Sequence, residues 1–397
     1  MKTTLYHKAY VLILILLNMS CGINIEEKNI LVREVESVKK HFAPDKRTAL
    51  FNIDVLSGSS NFTLVGESNL PNAVDSLKAV LHKKGIEVED HIKILPSLDL
   101  KGKTKAVINI SAANLRSNPK HSAELATQAI LGTEVNVLKN DGDWYLIQTP
   151  DDYLAWVDSG GIQLMNEESL LQWTTSKKII YTKTYGHAYN TIDEESIVSD
   201  LVAGNILKFL NEENGFYKVE FPDGRKAFVR KNEAEDYNTW LSNLDFEADS
   251  LIAISKTLIG VPYLWGGTST KGVDCSGFTK TIYYLNGMVI PRDASQQVHA
   301  GKSIDSISDF SKLEKGDLLF FGRKATETTT EKVVHVGMWI GDNKFIHSSN
   351  MVRISSVDKN SPNFDEFNVG RYLRSKRILN MEDKNIINLK KRDTIKG

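Results

Sequence analysis

The sequence predicts a multidomain protein: a small α/β N-terminal unit, two small all-β barrels and a C-terminal α+β domain, in that order. Three observations support this fold class. The chain has 397 residues, which is too long for one ordinary domain. Two β-rich segments repeat one plan along the chain. The segment after them changes from helical spacing of apolar residues to short apolar strands.

The composition is that of a soluble globular protein, with 41% hydrophobic and 25% charged residues and a formal net charge of -1. A chain with no basic excess lacks the electrostatic feature that attracts nucleic acid. We therefore expect no nucleic-acid partner.

The N-terminus differs from the rest of the chain. Lys2 and Lys8 precede an apolar run at 11–17 that is too short to span a bilayer, a pattern typical of an export signal. Cys21 follows between two small residues, where a bacterial lipoprotein signal places the cysteine that is lipidated, although Asn18 stands where Leu is more usual. We predict that residues 1–21 are a lipoprotein signal and that the exported protein is anchored to the membrane of the cell envelope. Ordinary cleavage or an uncleaved anchor are the alternatives.

Residues 22–103 are predicted to form a tether followed by the small α/β unit. Its expected elements are strands and one helix that begins at a proline: strands 49–55, 61–66 and 91–95, and helix 71–84. The sequence does not indicate what this unit does.

The two predicted barrels cover residues 104–165 and 166–235. In each, a glycine-aromatic turn and strand precede a further strand, which ends in Trp156-Val157 in the first barrel and in Phe228-Val229 in the second. This repetition favours two small barrels in tandem over one large sheet. The polar segment 232–243 is expected to be a linker.

Cys275 is the main candidate for chemistry. Phe278, Ile282 and Leu285 follow it at helical spacing, which places the thiol on the first turn of a helix. The positive end of the helix dipole favours the nucleophilic thiolate at that position. The chain has only two cysteines, so Cys275 has no disulfide partner if Cys21 is lipidated.

Two histidines are candidate partners for the thiol. His335 lies in an apolar strand, and His347 lies twelve positions later on the strand that returns after a turn near Gly341. The sequence leaves the centre of that turn, and hence the contact between the two rings, open. No third and fourth ligand stand at a supporting spacing, so neither a metal nor another cofactor is expected.

Five motifs in the C-terminal segment occur together in one order. They are Pro-Tyr-Leu-Trp-Gly-Gly (262–267), Asp-Cys-Ser-Gly-Phe (274–278), Gly-Asp-Leu-Leu-Phe-Phe (316–321), His-Val-Gly-Met-Trp-Ile-Gly (335–341) and Phe-Ile-His (345–347). With them, residues 246–380 resemble the NlpC-type (NlpC/P60) cell-wall cysteine peptidases. The resemblance implies a reduced papain-like α+β fold and cleavage of peptidoglycan peptides. It also implies the site roles: Cys275 as nucleophile, His335 as general base, His347 as the residue that orients it and Tyr263 as an oxyanion donor.

The two barrels resemble bacterial SH3-like domains, and the whole is similar to the γ-D-glutamyl-L-diamino acid endopeptidases of the dipeptidyl-peptidase VI type. In that subgroup the first barrel closes the substrate pocket with an acidic residue and a tyrosine, which Glu124 and Tyr153 match. Asp293 matches the aspartate of an Asp-Ser pair that holds the substrate amine, but Ala294 replaces the serine. Two further residues, Trp265 and Ser276, are expected at the substrate, with Trp265 either a packing anchor or a pocket wall.

The resemblance implies a cysteine endopeptidase that hydrolyses the bond between γ-D-Glu and the L-diamino acid of stem peptides, with a free L-Ala at the N-terminus. The expected partners are stem peptides or muropeptides, and a monomer is expected. The alternatives are a cell-wall amidase or acyltransferase and a non-catalytic wall-binding lipoprotein. The polar tail at 381–397 is expected to be loose.

Overall fold

The structure is a computed structural model that describes residues 25–58 and 61–391. Cys21 and the predicted signal therefore lie outside the described residues. The chain divides into two compact units, Met1–Asp99 and Leu100–Gly397. Each unit is considered by itself. Within the described ranges, no helix is both long and apolar enough to cross a membrane.

The first unit is a three-stranded mixed sheet with helices packed on it. Its elements in chain order are α1 (Ile25–Phe42), β1 (Phe51–Ser57), β2 (Phe62–Ser68), α2 (Pro71–Lys83) and β3 (Val88–Ile94). Strands β1 and β2 are antiparallel, and α2 carries the chain to a β3 that lies parallel to β2. Leu31, Leu64 and Leu77 are fully buried between helices and sheet. The predicted α/β unit is thus present, and its core is one apolar layer between the helices and the sheet.

The second unit begins with two seven-stranded sheets, which we call barrel 1 and barrel 2. Barrel 1 consists of β4 (Lys105–Ile108), β5 (Ala112–Arg116), β6 (Leu125–Ile130), β7 (Glu134–Asp141), β8 (Trp144–Gln148), β9 (Leu154–Asp158) and β10 (Ile162–Met165). Barrel 2 consists of β11 (Lys178–Tyr181), β12 (Tyr185–Tyr189), β13 (Ile197–Val202), β14 (Ile206–Glu213), β15 (Phe216–Glu220), β16 (Lys226–Arg230) and β17 (Ala234–Asp236). Helix α3 (Glu167–Thr175) joins them, and each sheet encloses its own apolar core.

The C-terminal part of this unit mixes helices with a six-stranded sheet. Its helices are α4 (Tyr237–Asn243), α5 (Ala248–Thr257), α6 (Cys275–Tyr284), α7 (Ala294–Gln297) and α8 (Glu366–Gly370). The six strands, in sheet order, are β21 (Lys302–Asp305), β26 (Tyr372–Arg377), β22 (Leu318–Arg323), β23 (Lys332–Gly341), β24 (Lys344–Ser349) and β25 (Met351–Ser356). Two short pairs complete it: β18 (Thr268–Ser269) with β19 (Gly272–Val273), and β20 (Met288–Val289) with β27 (Ile387–Asn388).

Helix α6 packs on one face of the six-stranded sheet. Phe278 and Ile282 are fully buried in the same cluster as Phe320, Val336 and Ile346. The observed helix matches the predicted one, and Gly287 beyond its end has a positive φ of 77°. This packing holds the N-terminus of α6, and with it Cys275, against the strand that carries His335.

Two expectations about connecting segments are wrong. The predicted linker 232–243 contains β17 and α4, because Trp240 and Leu241 bury their side chains against Ile180 of barrel 2. Residues 381–391 of the predicted loose tail are ordered, since Ile387 and Asn388 pair with β20. In both segments a few apolar residues within a polar stretch provide the anchor.

Candidate active site

Asp274 fixes the start of the helix that carries Cys275. Its side chain caps α6 by accepting the Gly277 amide at 2.7 Å, and it also accepts the Gly266 amide at 2.9 Å. The carboxylate therefore ties the helix start to the loop that contains Tyr263 and Trp265. The sequence analysis did not single out Asp274, although an aspartate directly before a helix is a preferred N-cap.

Arg292 is a fully buried cation beside this cap. Its Nη2 and Nη1 lie 2.6 and 3.1 Å from the two oxygens of Asp274, so the pairing is bidentate. Its Nε donates to Thr127 Oγ1 of barrel 1 at 2.8 Å. One guanidinium thus links the catalytic helix to barrel 1. No sequence pattern identifies Arg292, because the sequence alone does not distinguish a buried arginine from an exposed one.

Ser276 belongs to the same buried network. Its hydroxyl accepts from Arg292 Nη1 at 3.0 Å and lies 3.3 Å from Asp274 Oδ1. The side chain is 4% exposed. In the structure Ser276 supports the helix start, and its predicted contact with substrate stays a prediction.

The thiol of Cys275 is buried and protonated rather than poised as a thiolate. Burial raises the pKa of Cys275 to about 11, with a further contribution from the Asp274 charge. The amide of Val336, the residue after His335, and the Arg292 charge act in the opposite direction. The Ser276 amide at the helix start favours the thiolate as expected, but in this state desolvation outweighs it.

His335 and His347 are in direct contact. His335 Nε2 lies 2.7 Å from His347 Nδ1, and both side chains are buried. The turn centre left open by the sequence falls after Gly341, since Met338 pairs with Ile346 and Trp339 with Phe345. The two histidines are therefore staggered by two residues and meet diagonally.

Gly337 makes this diagonal contact possible. It lies one residue beyond the Met338–Ile346 pair of the ladder, and a Cβ added there would come within 3.2 Å of His347 Cβ and 2.8 Å of Phe345 Cδ2. Real Cβ atoms rarely approach so closely in packed interiors. A glycine at this position leaves the space through which the two rings approach.

The surroundings keep both imidazoles neutral. Burial lowers the pKa of His335 well below its ordinary value, and His347, Arg371 and Arg353 add to the effect. Burial also lowers the pKa of His347 to about 4, although Asp365 opposes the shift. His347 Nε2 lies 3.0 Å from Ser355 Oγ and 3.7 Å from Asp365 Oδ2.

Tyr263 lies close enough to the nucleophile for their charges to interact. Burial raises the pKa of Tyr263, and Cys275 and Asp274 raise it further. The phenol therefore stays protonated and able to donate a hydrogen bond. The role of Tyr263 as an oxyanion donor stays a prediction.

Barrel 1 brings Tyr153 to the catalytic domain. The Tyr153 ring is 6% exposed and belongs to the barrel core, while its hydroxyl lies 3.2 Å from Asp293 Oδ2. Trp156, the alternative core residue, is only half-buried and has Lys139 over its ring. The structure therefore brings together two predicted substrate residues, Tyr153 and Asp293.

A second bridge joins Glu124 of barrel 1 to Trp265. The Trp265 indole Nε1 donates to Glu124 Oε1 at 2.7 Å, and the Trp265 side chain is 63% exposed. Gly266, next to it, packs so closely on barrel 1 that an added Cβ would lie 2.2 Å from the Leu125 carbonyl oxygen. Trp265 is therefore a contact to Glu124 at an open surface rather than a core anchor.

Gln128 is a further residue that the sequence analysis missed. Its side-chain oxygen accepts from the Thr268 amide at 3.1 Å and from Ser269 Oγ at 2.9 Å, and its carbonyl accepts from Thr268 Oγ1 at 2.8 Å. These bonds join β6 to β18 just before the catalytic helix. Over the described part of the chain, no group of three or more His, Cys, Asp or Glu side chains is arranged to hold a metal ion.

Comparison with known proteins places this geometry in a family. Residues 260–371 match the NlpC/P60 family and residues 111–163 match the bacterial SH3 domain. The chain is 35% identical to a γ-D-glutamyl-L-lysine dipeptidyl-peptidase of Bacillus cereus, over 63% of this chain and 76% of that protein. The chain belongs to the NlpC/P60 family.

Two further similarities support this membership. A γ-D-glutamyl-L-lysine dipeptidyl-peptidase of Bacillus subtilis is 32% identical over 56% of this chain and 72% of its own length. A crystal structure of an NlpC/P60 family protein from Bacillus cereus aligns with a TM-score of 0.58 and 30% identity, covering 69% of this chain and 99% of that one. The predicted fold class and the class of enzyme, a cysteine peptidase, are confirmed.

Proposed function

We propose that this NlpC/P60 protein hydrolyses the bond between γ-D-Glu and the L-diamino acid of peptidoglycan stem peptides whose N-terminal L-Ala carries a free amine. The observation that carries the proposal is the contact between Tyr153 of barrel 1 and Asp293 of the catalytic domain, at 3.2 Å. It supports an acyl-side pocket with one wall from each domain. The names of the two dipeptidyl-peptidase relatives support the same bond.

The pocket chemistry favours a cation. Asp293 and Glu124 approach the cleft from the two domains. The buried Arg292 lies 3.7 Å from Asp293 Oδ1 but makes its bidentate pair with Asp274. Carboxylates brought together at a partly desolvated cleft are stabilised by a positive partner. The α-ammonium of a released stem peptide provides that charge. Tyr153 closes the pocket behind it and leaves room for a dipeptide, L-Ala-γ-D-Glu, on the acyl side.

The proton path follows from the histidine contact. For His335 to accept a proton on Nδ1, its own proton must be on Nε2, from which it is donated to His347 Nδ1. His347 then carries its proton on Nε2, facing Ser355 Oγ and the Asp365 carboxylate. The Asp365 charge stabilises the imidazolium that forms one residue away.

The reaction begins from a neutral pair, since the thiol of Cys275 and the ring of His335 are both uncharged. The Cys275 sulfur attacks the D-Glu γ-carbonyl carbon while His335 takes the thiol proton, and the oxyanion is met by the Cys275 amide and the Tyr263 hydroxyl. The C–N bond then breaks, and His335 returns the proton to the leaving amine. Water attacks the acyl-enzyme with His335 again as base, which releases L-Ala-γ-D-Glu and the thiol.

The test compares three peptides with the same scissile bond: a free stem peptide, its N-acetylated form and the stem still attached to muramic acid. Mass spectrometry should detect L-Ala-γ-D-Glu from the free peptide only, with the Cys275→Ala protein as the blank. Glu124→Gln should strongly reduce cleavage of the free peptide while it changes the unfolding temperature little. Equal cleavage of all three peptides would contradict the ammonium pocket.

We also propose that the mature protein begins at a lipidated Cys21 and works as a monomer at the membrane of the cell envelope. The support is the sequence pattern of residues 1–22 together with a wall-hydrolase family. Intact-mass measurement should show a lipid on Cys21, and a variant that starts near Ile23 should be soluble and active. Unlipidated protein that stays in the soluble fraction would contradict the anchor.

A further inference from the structure

A second cluster of charged groups lies at the catalytic end of the sheet, around α8. Asp365 caps this helix by accepting the Asn368 amide at 3.0 Å and the Asn368 side-chain Nδ2 at 2.7 Å. The same carboxylate lies 3.7 Å from His347 Nε2. One turn of helix therefore connects the histidine pair to Arg371, the residue that follows α8.

The Arg371 side chain is held in a fixed position without a charged partner. Its Nε and Nη2 donate to Asn368 Oδ1 at 3.1 and 2.7 Å, and its guanidinium carbon lies 4.1 Å from the centre of the Phe367 ring. Phe367 is 71% exposed. An exposed aromatic ring that carries a guanidinium presents the cation at the surface.

The neighbouring arginines of the same strand behave differently. Arg374 pairs with Glu331, and Arg377 pairs with Asp317 at 2.9 Å. Arg371 makes no salt bridge within residues 25–58 and 61–391. A guanidinium held by a neutral amide oxygen keeps its capacity for bidentate pairing with a carboxylate.

Backbone bonds place Arg371 beside the catalytic centre. Its carbonyl accepts from the Gly322 amide at 2.8 Å, Tyr372 pairs with Phe321, and Phe321 pairs with His335. Only strand β22 separates the start of β26 from His335. Burial lowers the pKa of Arg371, and the nearby Asp365 carboxylate opposes this shift.

Arg371 and the acyl-side pocket are built from different elements: Arg292 and Asp293 contact barrel 1, whereas Arg371 follows α8 and bonds to β22. The charges that act on Arg292 include Asp274, Asp293 and Tyr153, whereas the charge that acts on Arg371 is that of Asp365. A peptide whose ammonium lies at Asp293 and whose scissile carbonyl lies at Cys275 continues past the nucleophile with its leaving group. Arg371, which is separated from His335 by one strand, is a cation that this part of the peptide can meet.

We propose that Arg371, stacked on Phe367, binds a carboxylate of the substrate on the leaving-group side of the scissile bond. The inference rests on the proposed function, because that function defines which side leaves. It gives the cleft opposite charges at its two ends, with acids for the ammonium and an arginine for the carboxylate. The carboxylate has two chemical sources: the side chain of a diaminopimelate residue, or the C-terminus of a stem shortened to the diamino acid.

The experiment uses four synthetic peptides and the Arg371→Gln protein. The peptides are L-Ala-γ-D-Glu-L-Lys, its C-terminal amide, the C-terminal amide with diaminopimelate in place of lysine, and the first peptide with the D-Glu α-carboxylate amidated. Arg371→Gln should lower kcat/KM by about 10- to 100-fold where the leaving side carries the carboxylate that is bound. It should change kcat/KM less than about 3-fold for the lysine amide, which has none.

The pattern across the peptides identifies the source. A loss on the lysine acid indicates the C-terminal carboxylate, and a loss on the diaminopimelate amide indicates the side-chain carboxylate. An equal loss on all four peptides, or a loss that disappears only when the D-Glu α-carboxylate is amidated, would overturn the proposal. If the wild-type protein cleaves none of the four at this bond, the proposed function itself has failed.

Matched variants separate binding from folding. Arg374→Gln removes a guanidinium from the same strand and should leave all four kcat/KM values within about 2-fold, because a surface ion pair contributes little. Arg371→Lys keeps the charge without the planar fork and should recover part of the activity on carboxylate substrates only. If Arg371→Gln also reduced cleavage of the lysine amide and Arg371→Lys restored it, Arg371 would have a structural role and the proposal would be overturned.

Discussion

Barrel 1 and barrel 2 have the same topology but different roles. In sequence order within each barrel, the strands run seventh, first, fourth, fifth, sixth, second and third across both sheets. Barrel 1 places Thr127, Tyr153 and Glu124 against Arg292, Asp293 and Trp265. Barrel 2 has contacts of another kind with the catalytic domain, which include Gly204 with Tyr284, Asp200 with Lys271 and Thr184 with Thr270.

The difference is one of position along the catalytic helix. Barrel 1 lies at the start of α6, where Cys275 and its cap lie, and also pairs with Lys280 through Asp151 at 2.6 Å. Barrel 2 contacts the last residue of the helix, Tyr284, and the turn at 270–271 that precedes it. Nine residues of α-helix separate these ends by about 13 Å. A repeated fold therefore does not repeat a function, because function depends on which side chains reach the site.

The largest expected effects come from the histidines His335 and His347, which belong to neither barrel. The loss of activity in their variants is the reference against which variants of the two barrels can be compared. His335→Ala should lower kcat by about 10³-fold or more, because the buried thiol is neutral and needs a base to take its proton. His347→Gln should retain more activity, since an amide can still accept from His335 Nε2. Steady-state kinetics on the free stem peptide measures both, and the reverse order of loss would mean that the two roles are exchanged.

The two barrels can be compared by one matched pair of hydroxyl deletions. Tyr153→Phe removes the bond to Asp293 and should lower kcat/KM for the free stem peptide by about 10-fold or more, mainly through KM. Tyr284→Phe removes the bond to the Gly204 carbonyl and should leave kcat/KM within about 2-fold. Each should lower stability by about 0.5–1.5 kcal/mol, the usual contribution of one hydrogen bond.

Kinetics and thermal unfolding of both proteins decide the comparison. If Tyr284→Phe reduced activity as much as Tyr153→Phe, both barrels would act on the site and the proposed difference between them would be wrong. Equal stability with unequal activity is the expected result.

Sequence reasoning predicted what depends on local pattern and on motif resemblance. The catalytic helix follows from the spacing of Phe278 and Ile282, and the barrel repeat follows from its glycine-aromatic turns. What it missed depends on side chains that are distant in sequence. Arg292 and Thr127 meet across 165 positions, and no periodicity reports such a contact.

The protonation state of Cys275 shows the same limit. The helix start is visible in the sequence, but the desolvation that outweighs it arises from Phe278, Val336 and other residues packed around the thiol. The register of the histidine hairpin was likewise left open by the sequence. In the structure a turn at Asp342-Asn343, with positive φ at both residues, sets that register.

Acid pH should destabilise the catalytic domain through its two buried histidines, His335 and His347. His347 has a folded pKa of about 4 against an ordinary 6.5, so the unfolded chain binds more protons between these values. The stabilisation is complete above about pH 6.5 and is lost as the pH falls toward 4. Each pKa unit corresponds to about 1.4 kcal/mol.

The groups that face His347 are His335, Asp365, Arg353, Arg371 and Ser355. His335, whose pKa is also lowered, contributes with the same sign. Urea unfolding at pH 7 and pH 4.5 measures the loss, and His347→Gln should show a smaller difference between the two pH values than the wild type. An unchanged difference would mean that His347 is not the group that titrates.

The smallest expected effect is at the contact of barrel 2 with Lys271. Asp200 Oδ2 pairs with Lys271 Nζ at 2.5 Å, Asp200 Oδ1 accepts from Ser111 of barrel 1 at 2.9 Å, and the two charged side chains are 29% and 38% exposed. Burial raises the pKa of Asp200, but the bonds from Lys271 and Ser111 outweigh burial and leave the pKa below 3.8. The stabilisation that the charged Asp200 contributes is therefore present above pH 3.8 and is lost as the pH falls below it.

Because solvent screens the pair, Asp200→Asn should lower stability by less than about 1 kcal/mol and leave kcat/KM within about 2-fold. Thermal unfolding and the peptidase assay at pH 7 test this directly. A loss of activity above about 10-fold would show that barrel 2 positions the catalytic domain through this contact, and the functional difference between the two barrels would then no longer hold.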